Sequence, residues 1–246
     1  MSVVTHADRP ELWERIPTLF AGVWPEYNLH GDLMAGYWKR LHHVFGRYQL
    51  ALTGPDDDVL ATARALPIPW DGTPAGLGTG LDAAIQAGFV CWENGGTPDA
   101  LCALGIEVAP RYRRRGLATV MLSALRDTAR AAGFRHVVVP VRPTWKDRYP
   151  LTPIHRYAAW TTPAGEPFDP WIRTHLTCGG RLSAPAPRSS LITGTVRDWE
   201  TWTEMSFPET GDYVFPYGQA TVHIDRESDR GTYWEPNIWV VHEVPA

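Results

Sequence analysis

Leu101-Cys102-Ala103-Leu104-Gly105-Ile106-Glu107-Val108-Ala109-Pro110-Arg111-Tyr112-Arg113-Arg114-Arg115-Gly116-Leu117-Ala118-Thr119 passes from an apolar run through an arginine cluster into a helical pattern. Leu101 to Val108 carries one charged residue, Glu107, and suits a strand buried on both faces. Pro110 ends that pattern. Beyond it Leu117, Met121, Ala124, Leu125, Thr128 and Ala132 share one helical face, while Arg126, Asp127 and Arg130 point elsewhere. Gly133 fits the position just after a helix end. His136 to Val141 is a second buried strand, so the unit is strand–loop–helix–strand. A helix start offers unpaired backbone N–H groups and a partial positive charge, which suit a phosphate. Gly116 and Ala118 permit close approach of a ligand, and the guanidinium forks at 111, 113, 114 and 115 match phosphate oxygens. Neither GxxxxGK[ST] nor GxGxxG occurs, so the loop is not that of a P-loop NTPase or a Rossmann dinucleotide site.

Outward from this unit the chain alternates helix and strand signals. Val3 and Val4 suit a short strand. Asp8 and Pro10 open a helix carrying Leu12, Trp13, Ile16, Leu19, Phe20 and Val23, and a second helix is expected from Asp32 to Phe45. Strands follow at Tyr48–Thr53 and Val59–Leu66, separated by a Gly-Pro-Asp turn. Residues 67–80 read as a loop and Asp82–Ala87 as a helical turn. Residues 142–170 are Pro-rich and aromatic, Pro170–Cys178 suits a short helix, and strands are expected at 190–196, 220–225 and 238–244. That order gives an α/β (mixed α+β) plan.

Composition narrows the classes. The 246 residues carry a net charge of −4, without the basic surplus of a duplex nucleic-acid binder. The segment Met1–Pro10 lacks a signal-peptide pattern, and no apolar run approaches the ~20 residues of a membrane span. Three separated cysteines, Cys91, Cys102 and Cys178, suit a reducing compartment and form no metal motif. A cytoplasmic protein without a membrane, duplex nucleic acid or metal partner is therefore expected.

Val108 to Thr119 resembles motif A of the GNAT acyltransferase superfamily, written Gln/Arg-x-x-Gly-x-Gly/Ala; Arg113, Gly116 and Ala118 match it, in the expected strand–helix context. The resemblance implies a GNAT-like central mixed sheet flanked by helices over residues 1–196. Residues 197–246 would be an aromatic-rich β extension packed on the same domain. It implies acetyl-CoA or another acyl-CoA as co-substrate, with the pyrophosphate on the backbone of 113–118 and the pantetheine arm along Ile106 and Val108. The cofactor set is then Ile106, Val108, Arg113, Arg114, Arg115, Gly116, Leu117, Ala118 and Thr119. The implied activity is acyl transfer, acetyl above all, to the amine of a small molecule in a ternary complex. Alternatives are a non-catalytic acyl-CoA-binding module and the same fold using a carrier-protein thioester or aminoacyl-tRNA.

Transfer to an amine needs a proton acceptor for the amine, a donor for the leaving thiolate and a hydrogen-bond donor for the developing oxyanion. Glu107 adjoins the implied pantetheine contacts, and burial would raise its pKa towards that of a useful base; the other reading is a strand carboxylate paired with an arginine. The family commonly carries a Tyr acid four residues before a Gly-Phe. Here His175 stands four before Gly179, with no Phe following. It is either the acid or a packed histidine; Tyr149 and Tyr157 are its rivals. Trp145, Trp160, Trp171 and the tail aromatics would line the acceptor side. Tyr149-Pro150-Leu151, Phe168-Asp169-Pro170-Trp171 and Glu235-Pro236-Asn237-Ile238-Trp239 resemble the C-terminal half of longer members. Edge-strand candidates and aromatics in the tail lead to the expectation of a homodimer.

Overall fold

The computed structural model describes residues 1–245. Its strands are β1 (Ser2–Thr5), β2 (Gln49–Thr53), β3 (Val59–Ile68), β4 (Ala100–Val108), β5 (His136–Val141), β6 (Gly180–Gly194), β7 (Gly211–Tyr213), β8 (Val222–Asp225) and β9 (Arg230–Glu243). Its α-helices are α1 (Ile16–Leu19), α2 (Met34–Phe45), α3 (Leu81–Glu93), α4 (Leu117–Ala131), α5 (Ile154–Tyr157), α6 (Pro170–Thr177) and α7 (Val196–Thr203). One sheet runs β1-β2-β3-β4-β5-β9-β8-β7, with β6 on the other side of β9. Among the described residues, only β4 and β5 pair in parallel.

The strand–loop–helix–strand unit forms as its periodicity requires. α4 buries Leu117, Met121, Leu122, Leu125 and Ala129 against the sheet and ends at Gly133, whose φ is +82°. α3 is a full helix rather than a turn. It lies against β3 at Gly88, where a Cβ would stand 2.0 Å from Leu66 Cδ1. The first expected helix is broken instead. Pro10–Glu14 is a 3-10 turn, and Pro17 lies in the first turn of the short α1. A proline removes a backbone donor and clashes with the preceding turn, so it begins a helix rather than continuing one. These pieces still bury Leu12, Trp13, Ile16 and Phe20 against Ala51, Val59 and Ala109.

β6 and β9 are both longer than their sequence signals. Pro185 and Pro187 interrupt the apolar alternation of β6, which pairs only with β9, and an edge strand tolerates lost donors. The boundary at 196/197 falls at the start of α7, and the sheet runs through it: β9 lies between β5 and β6. A separate cluster of Tyr27, Trp199, Phe207, Phe215, Val222, Ile224 and Tyr233 packs where α7, β8 and the first half of β9 meet. Among the described residues, no helix is long and apolar enough to cross a membrane.

Candidate active site

The arginine loop becomes a row of backbone donors. Gly116 adopts φ +73°, ψ 6°, and Arg114 also has positive φ, at 61°. The left-handed step turns the chain into α4 and leaves the N–H groups of Arg114, Arg115, Gly116, Leu117 and Ala118 without a partner among the described residues. The Arg113 N–H turns back weakly to the Pro110 carbonyl at 3.4 Å, and that of Thr119 closes onto the Gly116 carbonyl at 3.1 Å. Nothing lies within 4 Å of where a Gly116 Cβ would be. Arg111 is held by Asp58 (3.2 Å) and stacks on Tyr112, and the Arg115 guanidinium lies 5.4 Å from the same ring. Arg113 and Arg114 are exposed and make no ion pair among the described residues. Free donors, spare cations and open space at one helix start fit a pyrophosphate.

A cleft of about 280 Å³ adjoins this loop. β4 and β5 pair only at Leu101–Val137 and Cys102–Val138 and then diverge. Register shifts on β4 between Gly105, opposite Arg64, and Ala103, opposite Ala65, leaving Leu104 as the extra residue of a bulge. Beyond Cys102 no neighbouring strand covers the β5 side of β4, so that edge can pair with an amide-bearing ligand. Ala103, Leu104, Gly105 and Ile106 form one wall, Val139, Pro140, Val141 and Arg142 the other; Ala118, Trp24, Trp171 and His175 also contribute. The site thus unites Ile106, Ala118 and His175. Val108 pairs with Ala61 and does not line the cleft. A larger depression of about 450 Å³ at Trp70, Asp99 and Phe134–His136 lies by the C-terminal end of α4. The negative end of that helix dipole is unsuited to phosphate.

Glu107 is buried and also stays off the cleft wall. Its Oε2 lies 2.6 Å from Arg64 Nη1 and accepts from Thr62 Oγ1 at 3.0 Å, while Oε1 accepts from Trp24 Nε1 at 2.6 Å. Burial pushes the carboxyl up, but Arg64 and the three hydrogen bonds outweigh it and hold Glu107 below its ordinary value. The direction is the reverse of that expected from burial alone. Arg64 also stacks on Trp38, 4.6 Å from the ring. Through Trp24 the ion pair fixes one side of the cleft mouth.

His175 comes to the cleft on α6. Asp169 caps that helix, accepting from the N–H groups of Trp171 (2.9 Å) and Ile172 (3.1 Å). Its second oxygen accepts from the Trp145 N–H and the Tyr157 hydroxyl, each at 2.8 Å. His175 Nδ1 lies 2.9 Å from His242 Nε2, and its Nε2 is buried without a partner. Burial, then the neighbouring His242, takes His175 down to about 3; burial and Arg126 take His242 down to about 4. At neutral pH both are therefore neutral imidazoles. Tyr157 is buried with its hydroxyl on Asp169, and neither it nor Tyr149 lines the cleft.

The far wall holds residues that the sequence did not single out. Arg142 ends the apolar β5 run, and its Nε lies 3.1 Å from Glu235 Oε1. Its Nη2 donates to the Tyr27 hydroxyl and the Tyr217 carbonyl, each at 2.9 Å. Glu235 Oε2 accepts from Asn28 Nδ2 (2.9 Å) and the Tyr233 hydroxyl (3.1 Å). Burial pushes Glu235 up against these donors. The Glu235-Pro236-Asn237 segment was the available signal, but the distant partners come from three other stretches, Tyr27–Asn28, Arg142 and Tyr217.

With that geometry in view, the chain's relatives are informative. A model of the acetyltransferase (GNAT) family matches residues 13–148. An arginine N-acetyltransferase, avaD, of Aspergillus versicolor is 32% identical over 278 residues, covering 99% of this chain and 94% of that protein. In fold, the chain is similar to the GNAT-like decarboxylase GphF in complex with isobutyryl-CoA, with a TM-score of 0.61, 19% identity and full coverage of both chains. The loading GNATL domain of CurA from Lyngbya majuscula gives a TM-score of 0.58 at 14% identity, covering 99% of this chain and 97% of that one. The splayed strands, the donor loop at α4 and the whole-length relative agree: this chain belongs to the GNAT acetyltransferase family and is an N-acyltransferase.

Proposed function

We propose that the protein transfers an acetyl group from acetyl-CoA directly to the amine of a small molecule in a ternary complex, with arginine the first acceptor to test. The observation that carries this reading is the run of unpartnered N–H groups from Arg114 to Ala118 beside the uncovered edge of β4. The loop would hold the pyrophosphate, with Arg113, Arg114 and Arg115 adding charge and Thr119 in the same turn. Backbone groups of Ala103 to Ile106 would pair with the pantetheine amides, and one of their N–H groups would face the developing oxyanion. Acyl-CoA would supply the acyl group activated as a thioester. Arginine enters because the relative of Aspergillus versicolor carries that name.

Glu107 and His175 remain the proton-handling groups of this reading, in roles set by their surroundings. Glu107 stays ionised and receives the amine proton through water. His175 acts as a neutral imidazole: in the tautomer in which His242 Nε2–H donates to its Nδ1, it carries Nε2–H, a hydrogen-bond donor for the sulfur. Residues 1–196 hold the cofactor and these two groups, and 197–245 complete the acceptor end. A cytoplasmic homodimer is the setting this reading expects, and sedimentation of the purified protein checks the assembly state. The deciding experiment is calorimetry with acetyl-CoA, followed by release of free thiol in the presence of L-arginine and an amine panel, with mass spectrometry of the products. Binding with turnover of an amine supports the reading. Failure of acetyl-CoA to bind a folded protein overturns it.

A further inference from the structure

The acceptor end of the cleft contains a cation with one terminus uncommitted. Arg142 spends Nε on Glu235 and Nη2 on the Tyr27 hydroxyl and the Tyr217 carbonyl. Nη1 has no partner among the described residues, and it is not sealed away from solvent. The side chain is 21% exposed, and the residue lines the cleft. The other three contacts hold the guanidinium in place. Tyr217 has φ +64°, a left-handed conformation that is strained for a bulky residue, and its carbonyl is gripped by both Arg142 and Tyr27. Glu235 meets the guanidinium at Nε and not at Nη1, with its other oxygen turned to Asn28 and Tyr233.

Resting on the acyltransferase reading above, we infer that Arg142 Nη1 receives a carboxylate of the acceptor, so that the enzyme selects amino acids over the corresponding simple amines. Two N–H groups on a delocalised cation, fixed on three sides and open on the fourth, match a carboxylate oxygen better than a neutral group. The arrangement is preorganised, because its immobilisation is already met by contacts within the protein. It also fixes polarity: with the carboxylate at the β5 wall, the amine is turned towards β4 and the thioester.

The test uses the intact protein with CoA present and calorimetric titration of L-arginine, L-argininamide and agmatine, which differ only at the carboxylate. The same comparison is made for L-lysine with cadaverine and L-phenylalanine with phenethylamine. The expected result is that the carboxylate-bearing member of at least one series binds about tenfold or more tightly than its partners, the range of a charge-assisted hydrogen bond. Equal affinity throughout every series, or no binding in any, overturns the inference. The double variant R142Q/E235Q removes both charges together and avoids leaving Glu235 buried alone. Its melt reports folding, and the preference should drop to about twofold or less. A preference retained in the folded double variant, or in R142M if the double variant does not fold, also overturns it. Turnover of any amine, measured separately as thiol release, tests the acyltransferase reading and stands whichever way the carboxylate series falls.

Discussion

The two ends of the cleft are built by opposite means. The proposed cofactor end is local: consecutive residues, one left-handed glycine and a helix start supply donors from the backbone, and nothing in the fold need lock their side chains. The acceptor end is assembled from distance. Two ion pairs brace the strands around it: the buried Arg64–Glu107 joins β3 to β4 behind the cleft wall, and the part-buried Arg142–Glu235 joins the end of β5 to β9. The pairs differ from each other as well. Glu107 ends below its ordinary value because a close cation and three hydrogen bonds overcome burial; Glu235 is pushed up because burial prevails over a longer contact. A backbone site tolerates surface change and fails when its space is filled. A site of buried charges tolerates filling poorly and fails when a partner is removed.

That contrast can be broken most forcefully at Arg64. Arg64→Met leaves Glu107 buried with only neutral donors and should cost about 3–5 kcal/mol of stability by urea unfolding, whereas Arg64→Met with Glu107→Leu should recover most of it. A single variant as stable as the parent would mean that the pair is not what holds this wall.

At the cofactor end the expected pattern is the reverse. Gly116→Glu should lower CoA affinity about 100-fold by calorimetry, through repulsion of the phosphates, with only about 1–2 kcal/mol lost to the left-handed backbone. Unchanged affinity in the folded variant would remove this loop from the site.

The histidine pair sharpens the comparison through pH. Folding depresses both His175 and His242, so the unfolded chain binds more protons as pH falls below about 6.5. Stability should be full above that value and decline towards pH 4, by on the order of 2 kcal/mol, seen as a falling Tm. His175→Gln with His242→Gln should flatten the slope in that window, and an unaltered slope would place the protons elsewhere.

The smallest effect is expected at Asp169. Asp169→Asn keeps the cap of α6 but loses a full charge facing four donors, and about 1–2 kcal/mol should follow in thermal melts. Turnover should fall more than CoA affinity, because α6 carries His175.

How much of this was legible follows the same division. The arginine loop, α4 and its flanking strands could be read because each signal is short-range: a 3.6-residue period, an apolar run, a glycine at the turn. Glu107 was legible as a residue of interest but not in its ionisation, since Arg64 and Trp24 reach it only through the fold. Arg142, Tyr27 and Tyr217 gave no local pattern at all. The long strands β6 and β9 were half read, since their pairing overrides the prolines of β6 and the mixed composition at the start of β9. Apolar spacing predicts one continuous first helix, but Pro17 restricts the chain to a 3-10 turn followed by the short α1.

β9 carries a consequence for how the molecule comes into being. It follows all three strands it pairs with, β5, β6 and β8, in the chain, and His136 of β5 meets Glu243 while Gly180 of β6 meets His242. Until Arg230 onwards has been made, β5 and β6 have no common ladder, and His175 lacks its imidazole neighbour. Such long-range closure is slow and leaves strand edges open to wrong partners in the meantime. The nascent chain therefore passes through a stage in which the arginine loop can already form while the far wall of the cleft cannot. Premature termination before β9 would give a species prone to aggregation rather than a weaker enzyme.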